Sequence, residues 1–394
     1  MRIALVSAYD FAAHGGVKQH IEHLSREYRR IGHEVDVVAP LSGMTDDIEI
    51  DGFHGVGGVV PLHVNGSVAR LSFSLNLRSR IKNLLTRKHF DIIHCHEPLM
   101  PVLPLVVLNY SRSVNIGTFH AYSETNFQYY YWRPVLQRFF TRLDGLVAVS
   151  EPAREYASQY FEGEYRIIPN GVDVSAFTTP APPIAELMDG RTNILFLGRF
   201  EEERKGFKYL LKALPWVKQA HPDIRLVVLG HGDPAKFRSR MRRYGIARNV
   251  HYVGAVSDAD RVRYMRSCQF LVAPSVQGES QGLVLLEAMA AGLPVIAGDI
   301  PGYASIVTNE CEGLLVTPES EHALAIAMVH LLADGEKRSR MGFNGATKAQ
   351  EHSWPKVASS LLELYTETQE RKVWQSRDGG RGQRRASTRK AGRA

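Results

Sequence analysis

Two glutamates, Glu279 and Glu287, stand with seven residues between them in GESQGLVLLEAMAAG (278–292). Carboxylates are strong acceptors for the hydroxyls of a sugar or a ribose. Between the two, Gly282 opens an apolar run that reads as a helix to about Ala291. A helix mouth presents free N–H groups and a partial positive charge, which favours phosphate, and a glycine there lets the anion approach the backbone. A sugar nucleotide has the matching layout of sugar, diphosphate and ribose. The same spacing also fits a plain amphipathic helix with Glu279 as its first-turn acid, and spacing alone does not separate the two.

Other stretches carry compatible chemistry. In GRFEEERKG (198–206), Arg199 follows a strand end and Lys205 precedes the next helix. Two such cations neutralise a leaving diphosphate, although Glu201, Glu202 and Glu203 equally suit a self-paired surface loop. In HGGVKQHIEHL (14–24), Gly15 and Gly16 sit where a first strand meets a first helix, the place for a phosphate-approaching turn. The pattern is not GxGxxG, and it also fits an ordinary turn. His94, His96 and Glu97 in HCHEP (94–98) lack a further His/Cys cluster to complete a metal site, so no metal is expected. His120 ends the strand VNIGTF and is placed facing the cleft, with a packed core histidine as the plainer reading.

Residues 52–90 contain no Asp or Glu but hold Arg70, Arg78, Arg80, Lys82, Arg87 and Lys88. Leu77, Ile81, Leu84 and Leu85 share one helical face within 74–90, with Arg78 and Lys82 beside it. Such a helix either lies in an anionic membrane interface or buries its leucines in its own domain.

The elements that must position these groups alternate. RIALVS (2–7), EVDVVA (34–39), DIIHC (91–95), VNIGTF (114–119), GLVAVS (145–150) and YRIIP (165–169) are strands separated by helical stretches. TTPAPP (178–183) interrupts as a linker, and alternation restarts with NILFLG, IRLVVLG, VHYVG, QFLVAP and LPVIAG. Two tandem α/β domains follow: 1–175, a linker 176–190, and 191–353. A helix at 354–372 packs back on the first domain, and a basic tail at 373–394 is disordered. In open parallel sheets ligands sit at the carboxyl ends of strands. Two domains facing each other therefore enclose a cleft.

Composition is consistent with this. The 394 residues are 44% hydrophobic and 23% charged, as in soluble two-domain proteins. Cys95, Cys268 and Cys311 make no disulfide framework, which suggests a reducing cytosol. No signal peptide or membrane span is expected. Of the net charge of +7, +6 lies in 376–394, so the folded part is near neutral. The tail reads as a solubilising extension, or as a tether to an anionic surface; no specific nucleic-acid partner is expected.

Taken together, these residues resemble a retaining GT-B glycosyltransferase. GESQGLVLLEAMAAG resembles that family's E-x7-E signature and GRFEEERKG its Arg/Lys pair, and IPNGVD (168–173) also matches. Within the family, NGSVARLSF (65–73) and DIIHCHEP (91–98) look most like the phosphatidylinositol mannosyltransferases. The resemblance implies an α/β GT-B fold, two Rossmann-like parallel-sheet domains facing across a cleft. It implies that Arg199, Lys205, Gly15 and Gly16 hold the donor diphosphate, with the backbone at Gly282 and Leu283. Glu279 would bind the transferred sugar, Glu287 the ribose, Asp258 and Arg261 the guanine, and His120 the sugar near the reacting carbon. Tyr9, Asn65, Ser67 and Arg70 would face the acceptor, and Arg78, Arg80 and Lys82 the membrane. Three positions depart from the pattern. Gln281 replaces a usual aromatic, and Ala12 and Thr125 replace an acid and a lysine that serve a phosphoinositol acceptor.

The expected reaction moves a hexose, mannose from GDP-mannose, to a lipid headgroup such as phosphatidylinositol, with retention. The protein would be cytoplasmic and peripheral on the inner face of the plasma membrane, with no tightly bound cofactor. Another nucleotide sugar, a soluble or glycerolipid acceptor, a sugar-nucleotide epimerase or hydrolase, and a non-enzymatic nucleotide-sugar binder are the alternatives.

Overall fold

Apolar runs rich in Val and Ile, too short for core helices, fold as parallel strands buried on both faces. The computed structural model describes every residue except 14, 44–47, 49, 65, 66, 74, 75, 123–126 and 392–394. For 60–64, 67–73, 127, 128 and 376–391 it describes the backbone alone.

The first half of the chain gives β1 (Arg2–Ser7), β2 (Glu34–Ala39), β3 (Phe53–Gly55), β4 (Gly58–Val64), β5 (Ser67–Phe73), β6 (Ile92–His96), β7 (Val114–Phe119), β8 (Gly145–Ala148) and β9 (Tyr165–Ile167). Seven of them form a parallel sheet in the order β3-β2-β1-β6-β7-β8-β9. β4 and β5 make a separate antiparallel hairpin. The second half gives β10 (Thr192–Leu197), β11 (Ile224–Leu229), β12 (Val250–Gly254), β13 (Leu271–Ala273), β14 (Val295–Gly298) and β15 (Gly313–Val316). These form a six-stranded parallel sheet in the order β12-β11-β10-β13-β14-β15. The architecture is two Rossmann-like α/β lobes.

Each sheet reverses its winding once, between β1 and β6 and between β10 and β13. At such switch points the flanking loops diverge and leave a crevice beyond the strand ends. Tyr9, Gly15, Gly16, His96 and Glu97 follow β1 or end β6. Arg199, Lys205 and Glu279 follow β10 or β13. Strand order, rather than sequence distance, therefore gathers the chemistry-bearing residues.

The last helix, Trp354–Ala391, returns to the first lobe. Its Val357, Ala358, Leu361, Leu364 and Tyr365 share a core with Ile3, Leu5, Ile21, Leu24 and Tyr28. Tyr365 donates to His94 Nδ1 at 2.6 Å and receives a hydrogen bond from Tyr28 at 3.1 Å. The helix continues through Ala391, whereas composition predicts disorder from 373.

The basic helix of the first lobe runs Leu77–Lys88. Leu77 and Ile81 are buried and Leu84 and Leu85 pack on the same core, which also holds Ile93, Leu103 and Val107. Its apolar face is thus spent inside its own lobe, so it does not lie leucine-side down in a membrane. Arg78, Arg80 and Lys82 are exposed, and Arg80 donates to Gly55 O at 2.9 Å. Among the described residues no helix is long and apolar enough to cross a membrane.

Candidate active site between the two lobes

The second lobe brings its charges together at the ends of β10 and β13. Lys205 Nζ lies 2.6 Å from Glu279 Oε1, and Arg204 Nη1 lies 2.6 Å from the same oxygen. Arg204 also pairs with Glu202 at 2.6 Å, and Glu202 in turn holds Arg199 at 2.7 Å. The loop after β13 is tied to this network through Val276 N to Arg204 O at 2.8 Å. Glu279 and Lys205 are mostly buried, at 13% and 14% side-chain exposure, while Arg199 is 53% exposed. Arg199, Lys205 and Glu279 thus join one network, with Arg204 at its centre. Sequence reading passed over Arg204 because it lies in a run of alternating charge that also suits a surface loop.

Three residues beyond Glu279, Gly282 caps the helix Leu283–Ala290 with φ +85°. A Cβ there would sit 2.6 Å from the Tyr303 ring, so only glycine fits this turn. The N–H groups of a helix start are the expected anion site, and here Leu285 N is already bonded to Gly282 O at 2.9 Å. The helix carries Glu287, whose carboxylate takes both 2.8 and 3.1 Å hydrogen bonds from Arg261 Nη1. Arg261 also bonds Asp258. Burial raises the Glu287 carboxyl above its ordinary range, and Arg261 opposes that shift.

A cleft of about 490 Å³ opens between the lobes. Gly16, Gln19, His23 and Trp354 line it from one side, and Asp258, Arg261, Leu283 and Glu287 from the other. His23 stacks on Trp354 with ring centroids 4.9 Å apart and planes 7° from parallel. At Gly16 an added Cβ would meet Leu283 Cδ1 at 3.1 Å, so the two lobes nearly touch here. Gly15, the N-cap of the helix Gly16–Arg30, has open space around it. Five of the residues expected to bind donor therefore share one hollow. Gly282, Arg199, Lys205, Glu279, His120 and Tyr9 are not among the described residues that line it. The cations are drawn onto their own carboxylates instead.

Behind the cleft the lobes are joined by Gln281 and Asn170. Gln281 Oε1 accepts from Asn170 N at 2.8 Å and from Asn170 Nδ2 at 2.6 Å. Both residues are buried. Gln281 joins this contact by hydrogen bonds, and its Nε2 also donates to Asn170 O at 3.3 Å. Asn170 also meets His20 Nδ1 at 2.7 Å.

The HCHEP segment divides. His94 is a packed core histidine, bonded to Tyr365 and, at 2.6 Å, to Thr118 Oγ1. Glu97 is buried with φ +56° and accepts from His120 N at 2.6 Å and Ala121 N at 2.7 Å. Burial raises its carboxyl to about 7, against the two backbone donors. His96 meets His120 at 3.0 Å and His20 lies beside both. Sequence spacing finds no further histidine to complete a cluster with His96; the fold supplies two. Tyr9 sits near Glu97, and burial first, then that carboxylate, raises its phenol.

On the acceptor side, Asn65 lies outside the described residues. Ser67 and Arg70 are on β5, opposite Val64 and Pro61 of β4. Arg78, Arg80 and Lys82 lie on the neighbouring helix.

Two facing Rossmann-like lobes, with a cationic network and a helix mouth on the C-terminal one, define a GT-B transferase. Comparison with known proteins gives the family. The family model Glycosyltransferase Family 4 matches residues 14–176, and Glycosyl transferases group 1 matches 181–348. The phosphatidyl-myo-inositol mannosyltransferase of Mycobacterium leprae is 35% identical over 366 residues, 93% of this chain and 96% of that protein. That of Mycolicibacterium smegmatis is 32% identical over 366 residues, 93% of each. Among solved structures, Anabaena HepE in complex with UDP aligns with a TM-score of 0.76 at 18% identity, covering 93% of this chain and all of that one. Sucrose-phosphate synthase from Thermosynechococcus elongatus aligns with a TM-score of 0.74 at 23% identity, covering 93% and 98%. The chain belongs to the GT-B glycosyltransferases, in the family of the phosphatidyl-myo-inositol mannosyltransferases, and is a hexosyltransferase.

Proposed function

We propose that the protein transfers mannose from GDP-mannose, with retention, to a membrane lipid headgroup of the phosphatidylinositol class. The observation that carries this is identity of 30–35% along nearly the whole chain to relatives whose names specify that donor sugar and acceptor. The cleft supports it: in this reading the nucleoside lies among Asp258, Arg261 and Glu287, and the diphosphate beside Gly16 and Leu283.

Catalysis in this reading rests on charge and position. The incoming diphosphate draws Lys205 and Arg199 off Glu279 and Glu202. Glu279, freed of Lys205, accepts from the sugar hydroxyls. The leaving phosphate then takes the proton of the acceptor hydroxyl on the face from which it departs, so configuration is kept. Lys205, the buried clamp cation, lowers the barrier by about 3 kcal/mol, the cost of losing one preorganised donor to an oxyanion, and the exposed Arg199 by less.

A second acceptor reading has its own support. Ala12 and Thr125 lack the acid and the lysine expected for a phosphoinositol headgroup, so a different lipid headgroup is the runner-up. Docking rests on the exposed Arg78, Arg80 and Lys82 at the inner membrane face. The test is a thermal-shift screen of GDP, UDP and ADP sugars, followed by turnover on inositol and glycerol lipids in vesicles. Stabilisation by GDP-mannose and transfer to the inositol lipid support the reading. Stabilisation by UDP sugars alone removes the donor assignment, and donor breakdown without acceptor points to a hydrolase.

A further inference from the structure

Three imidazoles converge in the first lobe from three elements: His20 on the helix Gly16–Arg30, His96 at the end of β6 and His120 just beyond β7. Their ring centroids are 5.0 Å (His20–His96), 5.0 Å (His20–His120) and 5.3 Å (His96–His120) apart. One ring nitrogen of each lies within 4.8 Å of the others, and His96 Nδ1 is 3.0 Å from His120 Nε2. A tetrahedral zinc ion with Zn–N of about 2.0–2.1 Å sets its imidazole nitrogens roughly 3.3 Å apart and their ring centres roughly 5 Å apart. The rings already stand at that separation, and side-chain rotation closes the rest.

The surroundings favour a cation with imidazole ligands. Asn170 Oδ1 can only accept, so His20 Nδ1 carries the proton and the lone pair is on Nε2. That Nε2 is buried without a partner. A ligand histidine held by a carbonyl through its other nitrogen is the usual second layer of a metal site. Imidazole binds a metal in its neutral form, through the nitrogen that carries no proton. For His96 Nδ1 and His120 Nε2 both to ligate, the proton shared between them leaves that contact and moves to the other nitrogen of one ring. Among the described residues no fourth His, Cys, Asp or Glu joins the cluster, so one coordination position is left to a small oxygen ligand. Three neutral nitrogens suit zinc and do not suit magnesium or calcium, which take oxygen.

We propose that His20, His96 and His120 form a binding site for one Zn²⁺ ion, with the fourth coordination position open. The ion ties the helix that begins at Gly16 to β6 and β7. Where His120 contacts the transferred sugar, as the proposed function has it, zinc and sugar compete. Zinc then inhibits transfer and a chelator restores it; this last consequence rests on that reading, and the binding itself does not.

The test titrates chelator-treated full chain with Zn²⁺ by calorimetry and records the visible spectrum of the Co²⁺ form. One ion per chain is expected, with an intense tetrahedral Co²⁺ spectrum. His20→Gln and His96→Gln should each weaken zinc binding by about tenfold or more. His23→Gln and Cys311→Ser, which remove nearby or half-exposed competitors, should leave it unchanged. Thermal melts of each variant report folding, and the Co²⁺ spectrum of the unaltered chain decides the matter if a variant does not fold. Absence of zinc uptake, an octahedral Co²⁺ spectrum, or uptake equal in His20→Gln and His96→Gln overturns the proposal. Zinc binding without inhibition leaves the site standing and removes the sugar contact of His120.

Discussion

The two faces of the interlobe region solve opposite electrostatic problems. The C-terminal face is charged and self-satisfied: Lys205, Arg204 and Arg199 rest on Glu279 and Glu202, and Arg261 on Glu287. The N-terminal face holds histidines that burial keeps uncharged, His20, His96 and His120, beside a Glu97 whose carboxyl burial raises to about 7. A pyrophosphate carries its charge in fixed places and needs mobile-partnered cations waiting for it. A sugar ring and an acceptor hydroxyl carry none, and a neutral wall competes with neither. In the proposed reading, the half-buried carboxylates hold the cations in place until the ligand takes them over.

The sharpest way to break this comparison is to remove one placeholder partner. Lys205→Ala should lower kcat by roughly 10²–10³, about 3 to 4 kcal/mol of barrier. Arg199→Ala should cost less, because Arg199 is 53% exposed and Glu202 keeps Arg204 in its absence. Steady-state kinetics with the preferred donor check both. Equal effects, or parental rates in both, would show that the network does not face the diphosphate.

The neutral face is tested by pH. Glu97 titrates at about 7 when folded against about 4.5 unfolded, so the folded state holds its proton more tightly between these values. As pH rises from about 4.5 to above 7, the unfolded chain loses that proton first and stability falls, by about 3 kcal/mol for this group. Glu97→Gln keeps an oxygen for His120 N and Ala121 N and removes the ionisation. Its melting temperature should exceed that of the parent at pH 8, and the gain should vanish near pH 5. A gain that grows on acidification contradicts the assignment.

The join between the faces comes next in size. Gln281→Ala leaves Asn170 N and Nδ2 buried without their acceptor, at about 1–3 kcal/mol. Because Gln281 and Asn170 sit on different lobes, much of that loss should appear as a higher donor KM rather than as a lower melting temperature. A fall in melting temperature with unchanged KM would make the pair a packing feature only.

The same contrast explains what was legible in the sequence. Glu279, Gly282, Leu283 and Glu287 lie on one loop and one helix, so spacing alone nearly sets their relative positions. Lys205 joins them because β10 and β13 are neighbours, which tandem α/β alternation implies. The histidine cluster was hidden because His20, His96 and His120 come from separate crossovers of the first sheet, and only its strand order brings them together. The leucine face of Leu77–Lys88 was ambiguous for a different reason: an apolar stripe is the same whether lipid or its own core covers it.

The smallest effect compares one methyl group placed on each side of the cleft. Gly282→Ala puts a Cβ 2.6 Å from the Tyr303 ring and forces a left-handed backbone on an L-residue, at roughly 1–3 kcal/mol. Gly16→Ala sets its Cβ 3.1 Å from Leu283 Cδ1, the end of a side chain that yields by a few tenths of an ångström. Alanine also suits a first helical turn better than glycine, by about 0.5–1 kcal/mol at most. The melting temperature should therefore fall in Gly282→Ala and stay level or rise slightly in Gly16→Ala. Donor affinity should weaken in both, because each methyl group intrudes where the phosphates pass between the lobes. If Gly16→Ala binds donor as the parent does, the first lobe takes no part in the diphosphate site, and the charged face alone holds it.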